Sequence, residues 1–386
     1  MDKKQLTSRE RMLLTMEHRE TDYTPCSFMI FSALKRRYRD DWKAFIDAQL
    51  DMGLDAVAVM PRLLCAVHPD VKITEWKEHP ANSPYPVLHK KYDTPAGVVK
   101  TEVNQTRDWP HGDHIEMCSD HNVPRSIKYH VSAREDLKSF RYMMLPPTAE
   151  QIRVFREESA GIRKYAAEKG ILVQGEMGVL IDFMIRFSGV ENLVFMAMED
   201  PDYFEEYLSM FWNWTMQRME VVLDERPDLY VRRGWYENMS FWSPDMYRRF
   251  IKPYLIKEAI WARQAGVKFG YINTCAYMQI IDDFMDIGID ALIGVDPVQD
   301  HQLDMALLKQ KIGNDICLWG GGNGFVTIEK GGEAAIRREV NDAFDILAPG
   351  GGFILSPVDN VTISTDEVFG KVDIFIDAWK KRRCVN

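Results

Sequence analysis

No stretch of this chain is apolar for long enough to span a bilayer, and no basic excess marks it as a partner of nucleic acid. Lys and Arg number 48 against 58 Asp and Glu, a net charge of -10, whereas phosphate backbones are held by a basic face. Cysteine is sparse and scattered. The six residues, at 26, 65, 118, 275, 317 and 384, make neither a Cys-x-x-Cys spacing nor a disulfide framework, which predicts reduced thiols and a cytoplasmic setting. The opening Met1-Asp2-Lys3-Lys4 is polar and predicts no signal-peptide core. No internal repeat or low-complexity linker divides the 386 residues, so a single domain over 1–386 is expected.

What is present is core-forming material, 46% hydrophobic and 11% aromatic, arranged in a regular alternation. Short apolar runs at 25–31, 54–60, 171–175, 229–233, 266–270, 291–295, 316–319 and 352–355 are separated by helical patterns. Helices are predicted over 7–19 with Ser8 as N-cap, over 149–169 and 202–225, and from about 365 to 381. Ser243-Pro244 opens another, which Pro253 should kink. Between about 73 and 145 the rhythm breaks into Pro-, His- and Tyr-rich sequence, with a hairpin pattern at 92–99. Eight β-then-α units predict an α/β fold, a (β/α)8 TIM barrel with an irregular, antiparallel insertion after the second strand. The competing open doubly wound sheet lacks its glycine fingerprint after the first strand.

In such a barrel, chemistry gathers at the C-terminal ends of the strands. Those positions hold Glu176, Glu237, Asn273 with Cys275, Asp296, the Gly320-Gly321-Gly322-Asn323 run, and Asp359. Asn273 and Cys275, two apart, would share one side of an extended segment. Glu237, Cys275 and Asp359 together could hold a Zn²⁺ with one position open; without metal, Glu237 or Asp359 could move protons. Taken singly, each is as well explained as a polar loop residue, and Cys275 as a small buried apolar one. The glycine run suits either close approach of a ligand to backbone or a plain left-handed turn. His111, His114, Cys118 and His121 form a second group with metal-like spacing, equally explained as solvated loop.

Three stretches resemble the uroporphyrinogen decarboxylase superfamily: Ser8-Arg9-Glu10-Arg11-Met12 followed by Asp22-Tyr23-Thr24-Pro25, the segment Ser243-Pro244 to Pro253-Tyr254, and the glycine-rich 318–323. The resemblance covers essentially the whole chain and implies the barrel. The arginine-rich segment of the porphyrinogen decarboxylases has no counterpart, because 25–32 contains no Arg. The resemblance therefore leans to the corrinoid-dependent methyltransferases, which pass a methyl group to the cobalt of a corrinoid. No corrinoid-binding domain is evident here, so a partner corrinoid protein is implied, with a small O-methyl or N-methyl compound as methyl donor. Thiol-directed members hold zinc with a His-x-Cys and a later Cys, where this chain has Asn273, Cys275 and Asp359. The ether demethylases use a Glu–Glu–His pattern that falls here on Glu237, Lys252 and Asn273. The resemblance thus implies Glu237, Lys252, Asn273 and Asp296 as catalytic residues and Glu176, Tyr236 and Asn323 as substrate contacts. Glu237, Cys275 and Asp359 would be the ligands of zinc. A homodimer is compatible with this picture. The alternatives are a metal-free decarboxylase or lyase acting on a small acid, and a non-catalytic binder on the same barrel.

Overall fold

The computed structural model describes residues 5–39, 41–64, 66–117 and 124–384, with the side chains of Glu176 and Met177 outside that description. Its strands, in chain order, are β1 (Val57–Val59), β2 (Lys72–Glu78), β3 (Val87–Thr94), β4 (Gly97–Asn104), β5 (Ser126–Lys128), β6 (Leu172–Gly178), β7 (Leu229–Arg233), β8 (Lys268–Ile272), β9 (Ala291–Val295), β10 (Cys317–Asn323) and β11 (Phe353–Val358). They form two sheets, and the chain resolves into two compact units.

The first unit comprises 1–61, 156–178 and 222–386. It holds a curled parallel sheet of seven strands in the order β1-β6-β7-β8-β9-β10-β11, a TIM-barrel-like arrangement. The expected first strand at 25–31 does not form a regular one. It makes single bridges, Cys26 to Leu355 of β11 and Ile30 to Asn360 in the loop beyond it, and the carbonyl of Cys26 accepts the Asp55 N–H at 2.8 Å. Pro25 has no N–H to give, which limits pairing at the start of this segment.

Below the strands sits Arg11, almost wholly buried, bonded at 2.6 Å to both Asp22 and Asp55. Arg9 pairs with Asp228 at 2.6 Å. The charged opening motif is therefore a brace at the N-terminal end of the parallel sheet. Its helix, Ser8–Met16, is capped by Thr7 rather than Ser8, because Thr7 and Glu10 form a reciprocal capping box. Met12 and Met16 turn into the interior against Leu229, Ile293, Trp319 and Ile354. Pro253 breaks its helix instead of kinking it: Pro244–Phe250 ends at Ile251 and Lys252–Gln264 begins anew.

The second unit comprises 62–155 and 179–221. It carries the antiparallel sheet β2-β3-β4-β5, whose centre is the expected hairpin, turning at Pro95-Ala96 between β3 and β4. Buried His130 lies among Tyr92, Phe140 and Phe187 in this unit.

Candidate active site

The residues singled out at the strand ends fall into two groups within the first unit. One surrounds Arg232. Alternation along β7 puts this residue on the face opposite Leu229 and Val231, which pack in the interior cluster, and so on the side of the helix Lys252–Gln264 that carries Glu258. Its guanidinium meets Glu237 at 2.5 Å and stands 3.5 Å from Glu258, all three fully buried. The other Glu237 oxygen accepts the Tyr271 hydroxyl at 3.1 Å. Burial pushes the Glu258 carboxyl above its ordinary value, with Arg232 pulling the other way. Asn273 borders this group, donating to the Glu237 carbonyl at 3.3 Å, while its own Oδ1 is buried without a hydrogen-bond partner.

The second group surrounds Asp296. Its Oδ1 accepts the N–H groups of Val298 at 2.9 Å and Gln299 at 3.0 Å, and its Oδ2 accepts the Asn323 amide at 2.6 Å. Burial nevertheless pushes this carboxyl above the usual carboxylate range, and the charge of Asp359 adds to the push. Asp359, half-buried, is raised likewise, by burial and by Glu329, against the N–H of Asn360. The Cys275 thiol is raised by burial, then by Asp300 and Asp296. Asn238 reaches its sulfur at 3.5 Å. Tyr277 is fully buried with an unpartnered hydroxyl, and burial followed by Asp300, Asp296 and Cys275 holds it protonated. Burial thus shifts Asp296, Asp359 and Cys275 in one direction, towards the protonated form that can donate.

The predicted residues are thus only partly brought together. Strand β8 ends at Ile272, so Cys275 lies in the turn beyond it, before Ala276 at φ 51, and does not share a strand face with Asn273. Lys252 pairs at 2.7 Å with Asp283 and with Asp286, between two helices, rather than with Glu237. Tyr236 is half-buried against Phe241, and its carbonyl accepts the Trp242 indole N–H at 2.8 Å. The Glu176 side chain lies outside the described residues. The glycines 320–322 lie inside β10 and serve packing: a Cβ at Gly320, φ +155, would come within 2.4 Å of the Val295 carbonyl, where the pairing of β9 and β10 shifts register.

The donor set does not fit the zinc implied by the resemblance. Both Glu237 oxygens are engaged by Arg232 and Tyr271. Among the described residues, no three His, Cys, Asp or Glu side chains gather as a metal-holding group. In the second unit, exposed His114 bonds Glu75 at 2.7 Å and His111 packs edge-on to Trp109. Cys118 and His121 lie outside the described residues. A cavity of about 500 Å³ lined by His18, Pro25, Asp345, Gly350, Gly352 and Arg382 opens beside the start of β11, at the end of the sheet opposite Asp296.

Sequence inspection missed Asn238, Tyr277, Asp300, Glu329 and Glu339. Glu339 had a signal: it sits on the apolar stripe of helix Glu333–Leu347, next to Val340. Burial pushes its carboxyl up to about 8; a hydrogen bond from Thr327 opposes the push and the charge of Asp296 adds to it.

The family model described as "Uroporphyrinogen decarboxylase (URO-D)" matches residues 114–382. No curated protein matches the chain in sequence. Among solved structures, a methyltransferase from Methanosarcina mazei superposes with a TM-score of 0.62 at 15% identity, covering 98% of this chain and 99% of that one. A sugar phosphate isomerase/epimerase from Parabacteroides distasonis gives a TM-score of 0.43 at 11% identity over 92% and 96% of the two chains. At 15% identity the likeness to the methyltransferase is one of fold.

Proposed function

Since the chain belongs to the uroporphyrinogen decarboxylase (URO-D) family, we propose that it is a methyltransferase of the kind its sequence resembles. It would move a methyl group from a small O-methyl or N-methyl compound to the cobalt of a corrinoid carried by a partner protein. The observation that carries this reading is the buried Asp296–Asn323 pair at the ends of β9 and β10, with Asp359 near enough for its charge to act on Asp296 and Asp296 near enough to act on the Cys275 thiol.

When the bond from methyl carbon to heteroatom breaks, electrons collect on the heteroatom. A neutral carboxyl beside it supplies a proton and makes it a better leaving group, an effect worth typically 10²- to 10⁴-fold. Asp296 suits this role because burial favours its neutral form while three donors fix its orientation. Asp359, raised in the same way, would supply a second acid or keep Asp296 neutral by its own charge. Asn273 Oδ1 and the Tyr277 hydroxyl, buried and unpartnered, are the groups left to orient a substrate. Zinc has no step in this scheme, because Glu237, one of the three residues expected to hold it, is engaged by Arg232 and Tyr271.

The test is to incubate the protein with candidate methyl donors and a reduced corrinoid protein, and to follow methylcobamide by visible absorbance. Formation with at least one donor, and its loss in Asp296→Asn, is expected. No methylation from any O-methyl or N-methyl donor would remove the proposal.

A further inference from the structure

The residues Gly324–Lys330 wind as a π-helix, a geometry that is rare and recurs at functional sites. Its start is tied to one acid of the strand ends. Asn323, whose amide holds Asp296 at 2.6 Å, accepts the Val326 N–H at 2.5 Å. Its far end is tied to the loop of the other acid. Glu329 is 5% exposed. Its carboxylate accepts the backbone N–H groups of Thr362 and Ile363, the latter at 2.7 Å, and the Thr362 hydroxyl at 3.2 Å.

Thr362 and Ile363 lie just beyond Asp359, which adopts left-handed backbone at φ 64. A non-glycine residue is uncommon there, and Asp is among the few that adopt it, with the surrounding loop fixing the geometry. Two further ties act on the same loop. Asn360 exchanges hydrogen bonds with Ser32, at 3.1 Å from the Ser32 N–H and 2.9 Å to its hydroxyl, and Ala33 donates to the Val361 carbonyl at 2.8 Å. Glu329 is the tie that comes from the π segment. Its own carbonyl is held by Lys371 at 3.1 Å.

We propose that Glu329 is a positioning residue, which through the π segment holds the Asp359 loop in register with Asp296 so that both acids face one substrate. The catalytic half of this proposal rests on the methyl-transfer reading above; the placement half does not.

Two variants separate positioning from simple stability. Glu329→Gln retains an acceptor for both backbone N–H groups and turns its amide to the Thr362 hydroxyl. Glu329→Ala removes every contact. In the Ala variant kcat should fall roughly 10- to 100-fold with KM little changed, as for a reacting group displaced by about 1 Å, and the Gln variant should recover most of it. Independently of turnover, the Ala variant should speed amide hydrogen exchange at Thr362 and Ile363 and shift the Asn323 side-chain amide signals in NMR spectra of nitrogen-labelled asparagine. Unchanged exchange and Asn323 signals in Glu329→Ala would overturn the proposal, as would a Gln variant as impaired as the Ala one. Were the wild-type protein to transfer no methyl group, the methyl-transfer reading would fall, and exchange and NMR would still decide the placement.

Discussion

Asn323 donates its side-chain amide to Asp296 across 2.6 Å, with both residues buried and 27 positions apart in the chain. The bond joins the ends of two adjacent strands and is one of the forces that restrain the upward push of burial on Asp296.

Removing that amide has a direction that can be measured. Asn323→Ala leaves Asp296 with one donor fewer and Val326 without its cap, which should cost about 1–3 kcal/mol in urea denaturation. The Asp296 carboxyl should rise further, so an activity that needs its protonated form should extend to higher pH. A pH–rate profile whose alkaline limb moves to lower pH would contradict the role given to Asp296.

Glu237 is expected to matter for stability more than for metal. Glu237→Ala takes from buried Arg232 its closer carboxylate and leaves Glu258 at 3.5 Å, and breaking a buried pair from one side costs about 3–5 kcal/mol. Dialysis against a chelator should leave melting temperature and methyl transfer unchanged. Zinc bound at one per chain and released by Cys275→Ala would show that the donor set can rearrange around a metal.

Glu339 should make folding pH-dependent. Its folded-state carboxyl titrates at about 8 against an ordinary 4.5. Between those values the native protein holds a proton that the unfolded chain has released, so stability falls as pH rises from about 4.5 to about 8, then levels off. Glu339→Gln keeps a neutral side chain and should flatten the dependence. Thermal melts across this range check it, and an equally steep slope in the Gln variant would assign the effect elsewhere.

Lys252→Met should spare methyl transfer while weakening the fold. Burial would lower this amine, but Asp283 and Asp286 more than offset it and hold it charged. Losing those bonds costs about 1–3 kcal/mol. A large fall in kcat with an intact melting temperature would place Lys252 in the chemistry after all.

The alternation of strands and helices was legible because periodicity is a local property. Short apolar runs such as Ala291–Val295, set between helical patterns, read as buried strands and are strands, while Pro253, expected to kink its helix, instead stands in the first turn of a new one. The segment 25–31 shows the limit. Its apolar run looks like any other strand, yet whether it builds a ladder or a bridge depends on what β11 and Asp55 offer it.

The positions of Asp296, Asn323 and Asp359 at strand ends followed from the sequence, since a parallel sheet delivers every such residue to the same end. Which of them act together did not. Glu237 lost its apparent freedom to Arg232, Lys252 to two aspartates, and Glu329 gained its meaning from a loop more than thirty residues away. A side chain's partners, and the burial that shifts its protonation, are properties of the packed volume. The order of residues fixes the strands that enclose that volume, and only the closed structure decides which charges share it.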